Sequence, residues 1–135
     1  MTDDTIYPTH TCFDDALELI HSLLQSAADK GINAESDLLL VHAICTGPHG
    51  PYAHAWVEDS SECRSYFVGI LNGERIVLAA HTSDYEQSLN VTESTKYGWS
   101  EAFALNRKHE TYGPWKPEYQ ALCKNDDHKT WRLNE

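Results

Sequence analysis

The chain has 135 residues, of which 41% are hydrophobic and 23% charged, a composition typical of one globular domain. Ten Lys and Arg residues against 21 Asp and Glu give a formal net charge of −11, which excludes nucleic acids and anionic membrane surfaces as partners. No apolar run approaches the roughly 20 residues that a transmembrane helix needs. We therefore expect a single domain over residues 1–135 that does not enter a membrane.

The start of the chain and its cysteines indicate a cytoplasmic protein. Residues 1–5 are acidic and lack the basic and apolar regions of a secretory signal. The four cysteines have irregular spacing, which favours reduced thiols over a disulfide framework. They are Cys12, Cys45, Cys63 and Cys123.

An amphipathic helix is predicted from Thr11 to Lys30. Its apolar residues recur at helical spacing and form one stripe: Phe13, Ala16, Leu17, Ile20, Leu24 and Ala27. The helix places Cys12 in its first turn, where free backbone N–H groups and the helix dipole stabilise a thiolate. The negative charges of Asp14 and Asp15 act against that effect.

Four strands are predicted after this helix. Their ranges are Leu38–Cys45, Tyr52–Glu58, Arg64–Leu71 and Glu74–Ala80. The dipeptide Asn72-Gly73 between the last two is a strong hairpin signal, because both turn positions require a positive φ. The order predicts an α+β fold in which an N-terminal helix packs on a four-stranded antiparallel meander, followed by C-terminal helices.

The C-terminal part is predicted to be less regular. One helix is expected from about Tyr97 to Lys108, and a second, short helix from Glu118 to Cys123. The tail from Lys124 to Glu135 is polar apart from Trp131 and Leu133. We expect this tail to fray or to dock through those two side chains.

The second predicted strand carries an ionisable, aromatic face. Alternation places Tyr52, His54, Trp56 and Glu58 on one side of the sheet. The predicted register sets His54 opposite Ala43 on the first strand and near Gly69 on the third. Both neighbours are small, so the sequence predicts free space beside the imidazole.

Cys12 at the head of the first helix and the string His54-Ala55-Trp56-Val57-Glu58 resemble the papain-like and transglutaminase-like cysteine hydrolases. The resemblance implies a papain-like core, Cys12 as nucleophile, His54 as general acid–base and an oxyanion hole of backbone N–H groups near Cys12. It also implies hydrolysis or acyl transfer at an amide or isopeptide bond of a peptide or protein substrate, without a cofactor. The stretches Pro8–Cys12 and Tyr112–Trp115 also resemble small bacterial proteins, a likeness that adds no function.

The resemblance implies a third residue that orients the imidazole from the next strand. The predicted register places Gly69 at that position. Asn72 is the assigned catalytic candidate, with Asp84 and Glu58 as alternatives.

Aromatic residues supply the predicted substrate contacts: Trp56, Tyr112 and Trp115. The alternative function is a non-catalytic acidic binding module that engages a basic or apolar partner through the same scaffold.

A metal site is not predicted. Four residues are of types that bind zinc: His42, Cys45, His49 and His54. Their spacing in the sequence matches no recognised zinc-binding motif. His42 and Cys45 are also expected on opposite faces of their strand, with His42 packed in the core.

Overall fold

The structure is a computed structural model that describes residues 4–132. Its strands are β1 (Thr5–Tyr7), β2 (Leu38–Gly47), β3 (Gly50–Asp59), β4 (Arg64–Leu71), β5 (Glu74–His81), β6 (Val91–Tyr97) and β7 (Trp131–Arg132). Its helices are α1 (Cys12–Asp29), α2 (Thr82–Leu89), α3 (Trp99–His109) and α4 (Pro117–Gln120). None of these helices is both long enough and apolar enough to cross a membrane.

The described strands form one curled antiparallel sheet. Its order is β6-β2-β3-β4-β1-β7, and β5 also pairs with β4. Strand β4 therefore has three neighbours: β5 along its whole length on one edge, and β3 and β1 in turn along the other. The curvature gives the sheet the shape of a half-barrel.

The predicted four-stranded meander with a papain-like core is wrong. The four predicted strands are present as β2 to β5, but β1, β6 and β7 extend the sheet and change its order. β1 and β7 are only three and two residues long, too short to show alternation in the sequence. β6 is a mostly exposed edge strand, so it also lacks an alternating apolar pattern.

Helix α1 agrees with the predicted amphipathic helix and begins at Cys12. The carboxylate of the buried Asp15 accepts hydrogen bonds from the hydroxyl groups of Thr9 and Thr11, the latter at 2.9 Å. Arg75 of strand β5 forms an ion pair with the same carboxylate. These contacts fix the first turn of α1, and with it Cys12, against the sheet.

Apolar side chains form a core on each side of the sheet. Helix α1 packs on one face, which includes Ala53, Ala55 and Val57 of strand β3. Helix α2 covers the other face, where Tyr52 and Trp56 of the same strand are buried. The alternation predicted for β3 is therefore confirmed.

Strands β3 and β4 separate beside His54. They pair only from Val57 opposite Tyr66 to Asp59 opposite Arg64. Continued, this register would place His54 opposite Gly69, as predicted, but the pairing with β3 ends at Tyr66, and β4 pairs with β1 at Ile70 and Leu71. A Cβ atom on Gly69 would overlap the Ile6 side chain, so the glycine permits this approach of β1. The separation opens a gap that the start of α1 reaches.

Candidate active site

The gap between β3 and β4 brings Cys12 to His54. Cys12, Asp15 and Ala16 of α1 line one small cavity together with residues of both strands, His54 and Phe67 among them. A nitrogen of His54 lies within 4.8 Å of the Cys12 sulfur. The structure thus brings the predicted pair together, although in a different sheet from the one expected.

His128, which sequence reasoning missed, is in direct contact with the cysteine. Its Nε2 lies 3.4 Å from Cys12 Sγ. Its Nδ1 lies 2.5 Å from a carboxylate oxygen of Asp126. Because an ionised carboxylate only accepts hydrogen bonds, Nδ1 carries the proton and Nε2 presents its lone pair to the thiol. The arrangement is a Cys–His–Asp chain.

The turn between β2 and β3 anchors the segment that carries His128 and Asp126. The backbone N–H of His49 donates to Asp127 at 2.6 Å, and His49 Nδ1 lies 2.8 Å from the other oxygen of this carboxylate. Asn125 donates from Nδ2 to the carbonyl oxygen of Pro51 at 3.0 Å. Gly47 leaves room for Asp127, because a Cβ atom at that position would lie 2.5 Å from the Asp127 side chain.

Trp131 holds the far end of this segment. Its ring packs against Phe67 and stacks on Tyr85, at centroid separations of 5.4 and 5.5 Å. It also belongs to β7, which pairs with β1. The predicted docking of the tail through Trp131 is confirmed, whereas Leu133 lies outside the described residues.

His54 is enclosed by aromatic rings and stays neutral. Its Nε2 lies 2.9 Å from the hydroxyl oxygen of Tyr85. Nδ1 is buried and has no hydrogen-bond partner within residues 4–132. Burial, and to a smaller extent the repulsion between the protonated forms of His54 and His128, lowers the pKa of His54 to about 3. Burial likewise raises the pKa of Tyr85 well above its ordinary value.

The cysteine rests as a thiol beside an ionised aspartate. Burial raises the pKa of Cys12 to about 12, against the opposing effect of backbone hydrogen bonds from Ala55 and from Cys12 itself. For Asp126, partial burial acts to raise the pKa, but hydrogen bonds and charge from His128 and His10 outweigh it and lower the pKa. The thiol therefore needs a base to release its proton at neutral pH.

Cys12 lines two cavities besides the small one that it shares with Asp15 and Ala16. An open cleft of about 230 Å³ contains Cys12 and His128, with Asp14, Asp126 and Gly113 among its other lining residues. A narrow cavity of about 20 Å³ is lined by Cys12 and His54 and by rings that include Phe67 and Trp131. The open cleft is the largest of these cavities and so gives a substrate the most room beside the sulfur.

The candidates for a third catalytic residue lie elsewhere. Asn72 forms the turn between β4 and β5 with a φ of 52°, and it lines none of the three cavities at Cys12. Glu58 forms an ion pair with Lys96 at 2.9 Å. Asp84 lies in the first turn of α2. The position beside the imidazole of His128 is taken by Asp126 instead.

The predicted substrate-binding residues differ in exposure. Trp56 is fully buried between His54 and Tyr85. Trp115 is also buried, and its Nε1 donates to the carbonyl oxygen of Thr111 at 3.1 Å. Tyr112 is 38% exposed and precedes Gly113 of the open cleft. Tyr112 is thus the one of the three with an exposed side chain, and the roles of all three stay predictions.

His42 occupies the core, as predicted. It is fully buried, and its ring contacts those of Phe13, Tyr97 and Trp115. Cys45 is buried in the core on the other face of the sheet. The two residues therefore do not belong to a shared metal site.

Comparisons of this chain with protein-family models, with curated proteins and with solved structures give no match. The resemblance to papain-like and transglutaminase-like hydrolases therefore stays a prediction that is based on the Cys12 and His54 motifs.

Proposed function

We propose that this protein is a cysteine-dependent hydrolase or acyl transferase that acts on an amide or isopeptide bond of a peptide or protein. The observation that supports the proposal is the contact of Cys12 Sγ with His128 Nε2 at 3.4 Å, together with the 2.5 Å contact of His128 Nδ1 with Asp126. A nucleophile, a base that faces it and a group that orients the base are the parts that thiol catalysis needs.

In the first half-reaction, His128 Nε2 accepts the thiol proton while the sulfur of Cys12 attacks the carbonyl carbon. The π electrons of the carbonyl move to its oxygen, and a tetrahedral intermediate forms. When the carbon–nitrogen bond breaks, the leaving amine takes the proton from His128 and a thioester remains on Cys12. Asp126 stabilises the imidazolium and holds its orientation throughout.

In the second half-reaction, His128 activates the acyl acceptor in the same way. Water as acceptor gives hydrolysis, and an amine gives acyl transfer. The backbone N–H groups of Ala55 and Cys12, which donate toward the sulfur, are suited to stabilise the oxyanion. His54 remains neutral beside the nucleophile and is assigned no proton transfer in this scheme.

The open cleft favours a neutral or basic substrate. Asp14 and Asp126 line it, and the whole chain has a formal net charge of −11. Negative potential at a cleft raises the local concentration of positively charged partners. A lysine-containing peptide is therefore a more suitable substrate than an acidic one.

The proposed chemistry predicts that an activated ester acylates Cys12. With p-nitrophenyl acetate, we expect one acetyl group on Cys12 per molecule and an equal amount of released p-nitrophenol, followed by slower turnover. Peptide mass spectrometry locates the acetyl group, and absorbance follows the release.

Cys12→Ala should abolish this rapid phase, whereas Cys63→Ala, which removes an exposed thiol at the turn between β3 and β4, should retain it. A rapid phase that survives in Cys12→Ala would disprove the catalytic proposal. That result would favour the alternative, a non-catalytic acidic binding module.

A further inference from the structure

Three neighbouring side chains, two of which line the open cleft, are of the types that bind zinc. The sulfur of Cys12 and one nitrogen each of His54 and His128 all lie within 4.8 Å of one another. In a tetrahedral zinc site, bond lengths of about 2.0 to 2.3 Å place neighbouring donor atoms about 3.3 to 3.8 Å apart. Small side-chain movements are enough to close the difference.

In each histidine, one ring nitrogen contacts a group that orients the ring, as is usual for metal-bound histidines. Asp126 binds Nδ1 of His128, which leaves Nε2 directed at the sulfur. Tyr85 lies against Nε2 of His54, which leaves Nδ1 without a partner within the described residues. Each imidazole thus has one nitrogen occupied by an orienting group and one nitrogen available.

The unpartnered nitrogen of His54 is unexplained by the acyl-transfer scheme. A buried polar atom without a hydrogen bond costs about 1 to 3 kcal/mol, so such atoms often mark a missing ligand. A metal ion bound between His54, His128 and Cys12 would satisfy this atom and the sulfur at once.

We propose that Cys12, His54 and His128 form a site for Zn²⁺, with the fourth coordination position directed toward the open cleft. On binding, the thiol gives up its proton to solvent and the thiolate and two neutral imidazoles each donate one electron pair to the ion. No oxidation or reduction is involved. The site stands on the geometry of the three side chains and does not depend on the proposed acyl transfer.

Zinc binding has a direct consequence for the cysteine. A coordinated thiolate has its lone pair shared with the metal, and His128 Nε2 can no longer accept a proton. Zn²⁺ therefore blocks the nucleophile reversibly, and a chelator restores it.

Cobalt and zinc titrations of the full chain test this site. We expect one equivalent of Co²⁺ to give the near-ultraviolet absorption of a thiolate–cobalt bond, and Zn²⁺ to displace it. Zn²⁺ affinity is measured by competition with a chromophoric chelator. Cys12→Ser and His54→Gln should each weaken it by at least about a hundredfold, and Asp126→Asn by about tenfold. Cys63→Ala is the matched control and should bind zinc as the unaltered chain does.

Alkylation of Cys12 by iodoacetamide provides a second measurement. Stoichiometric Zn²⁺ should protect Cys12 but leave the exposed Cys63 reactive, and EDTA should remove the protection. The metal site would be overturned if the Zn²⁺ affinity were unchanged in both Cys12→Ser and His54→Gln. It would also be overturned if Zn²⁺ did not change the rate at which Cys12 is alkylated. Acetylation by p-nitrophenyl acetate in the absence of metal is independent of these results, so failure of the metal site and failure of the acyl-transfer proposal are distinguishable.

Discussion

Replacing His128 by alanine is expected to slow the acetylation of Cys12 by p-nitrophenyl acetate at least about a hundredfold, the usual contribution of a general base. Burial raises the pKa of the Cys12 thiol to about 12, so almost no thiolate exists at neutral pH. The attack therefore depends on His128 Nε2 to remove the proton as the sulfur–carbon bond forms. The rate is measured by stopped-flow absorbance of p-nitrophenol.

His81→Ala is the matched control for this measurement. His81 is exposed at the end of β5, and its Nδ1 lies 2.9 Å from the hydroxyl group of Ser83. Its removal should leave the acetylation rate within about twofold, the small effect expected of an exposed residue away from the site. If His81→Ala and His128→Ala slow acetylation equally, His128 is not the base.

Acid is expected to destabilise the fold already at pH values well above the pKa range of carboxylic acids. Burial lowers the pKa of His42 from 6.5 to about 3, and the pKa of His54 in the same direction and by the same main cause. In this window the unfolded chain binds more protons than the folded chain, so the free energy of unfolding falls as pH falls. The stability is complete above pH 6.5 and is lost progressively toward pH 3.

Each such histidine contributes a slope of up to about 1.4 kcal/mol per pH unit. Urea unfolding at pH 7, 6, 5 and 4 measures the slope. His42→Leu should remove about half of the contribution that His42 and His54 make to this slope, because a leucine side chain fills the same apolar site without titrating. A slope that is the same with and without His42 would show that this imidazole gains its proton without unfolding the chain.

Local signals explain which parts of the fold are predictable from the sequence. Helix α1 has a continuous apolar stripe, and the β4–β5 hairpin has Asn72-Gly73, whose φ angles of 52° and 82° are those that its turn requires. The alternation of β3 and its pairing of His54 with Ala43 also follow from sequence. Strand β6 is not predicted from the sequence, because its polar edge residues are held by backbone pairing with β2 rather than by an apolar pattern.

Of the candidate site, only Cys12 and His54 could be predicted from the sequence. Cys12 and His54 are recognisable because each belongs to a regular element and to a motif. The contact between Cys12 and His128 spans 116 residues, and His128 lies in an irregular polar segment. The sequence feature that could have indicated this part of the site is the run Asp126-Asp127-His128. Contacts with His49 and through Trp131 bring this run to the cysteine, and they are not visible in the sequence.

The separation of β3 from β4 could not be predicted from the sequence either. The predicted register was correct where the strands pair, yet the pairing stops before it reaches His54. The insertion of β1 depends on the lack of a side chain at Gly69, which a strand pattern alone does not reveal. Without this separation, the start of α1 would not reach the imidazole.

The central claim is that Asp126, His128 and Cys12 act as one unit, and a double-mutant cycle tests it most directly. The acetylation rate of Cys12 is compared among the unaltered chain, Asp126→Asn, His128→Ala and the double variant. If Asp126 acts by orienting His128, Asp126→Asn slows acetylation about tenfold or more in the unaltered background and has no further effect once His128 is absent. If Asp126→Asn slows the reaction by the same factor in both backgrounds, the two residues act independently and the Cys–His–Asp account is contradicted.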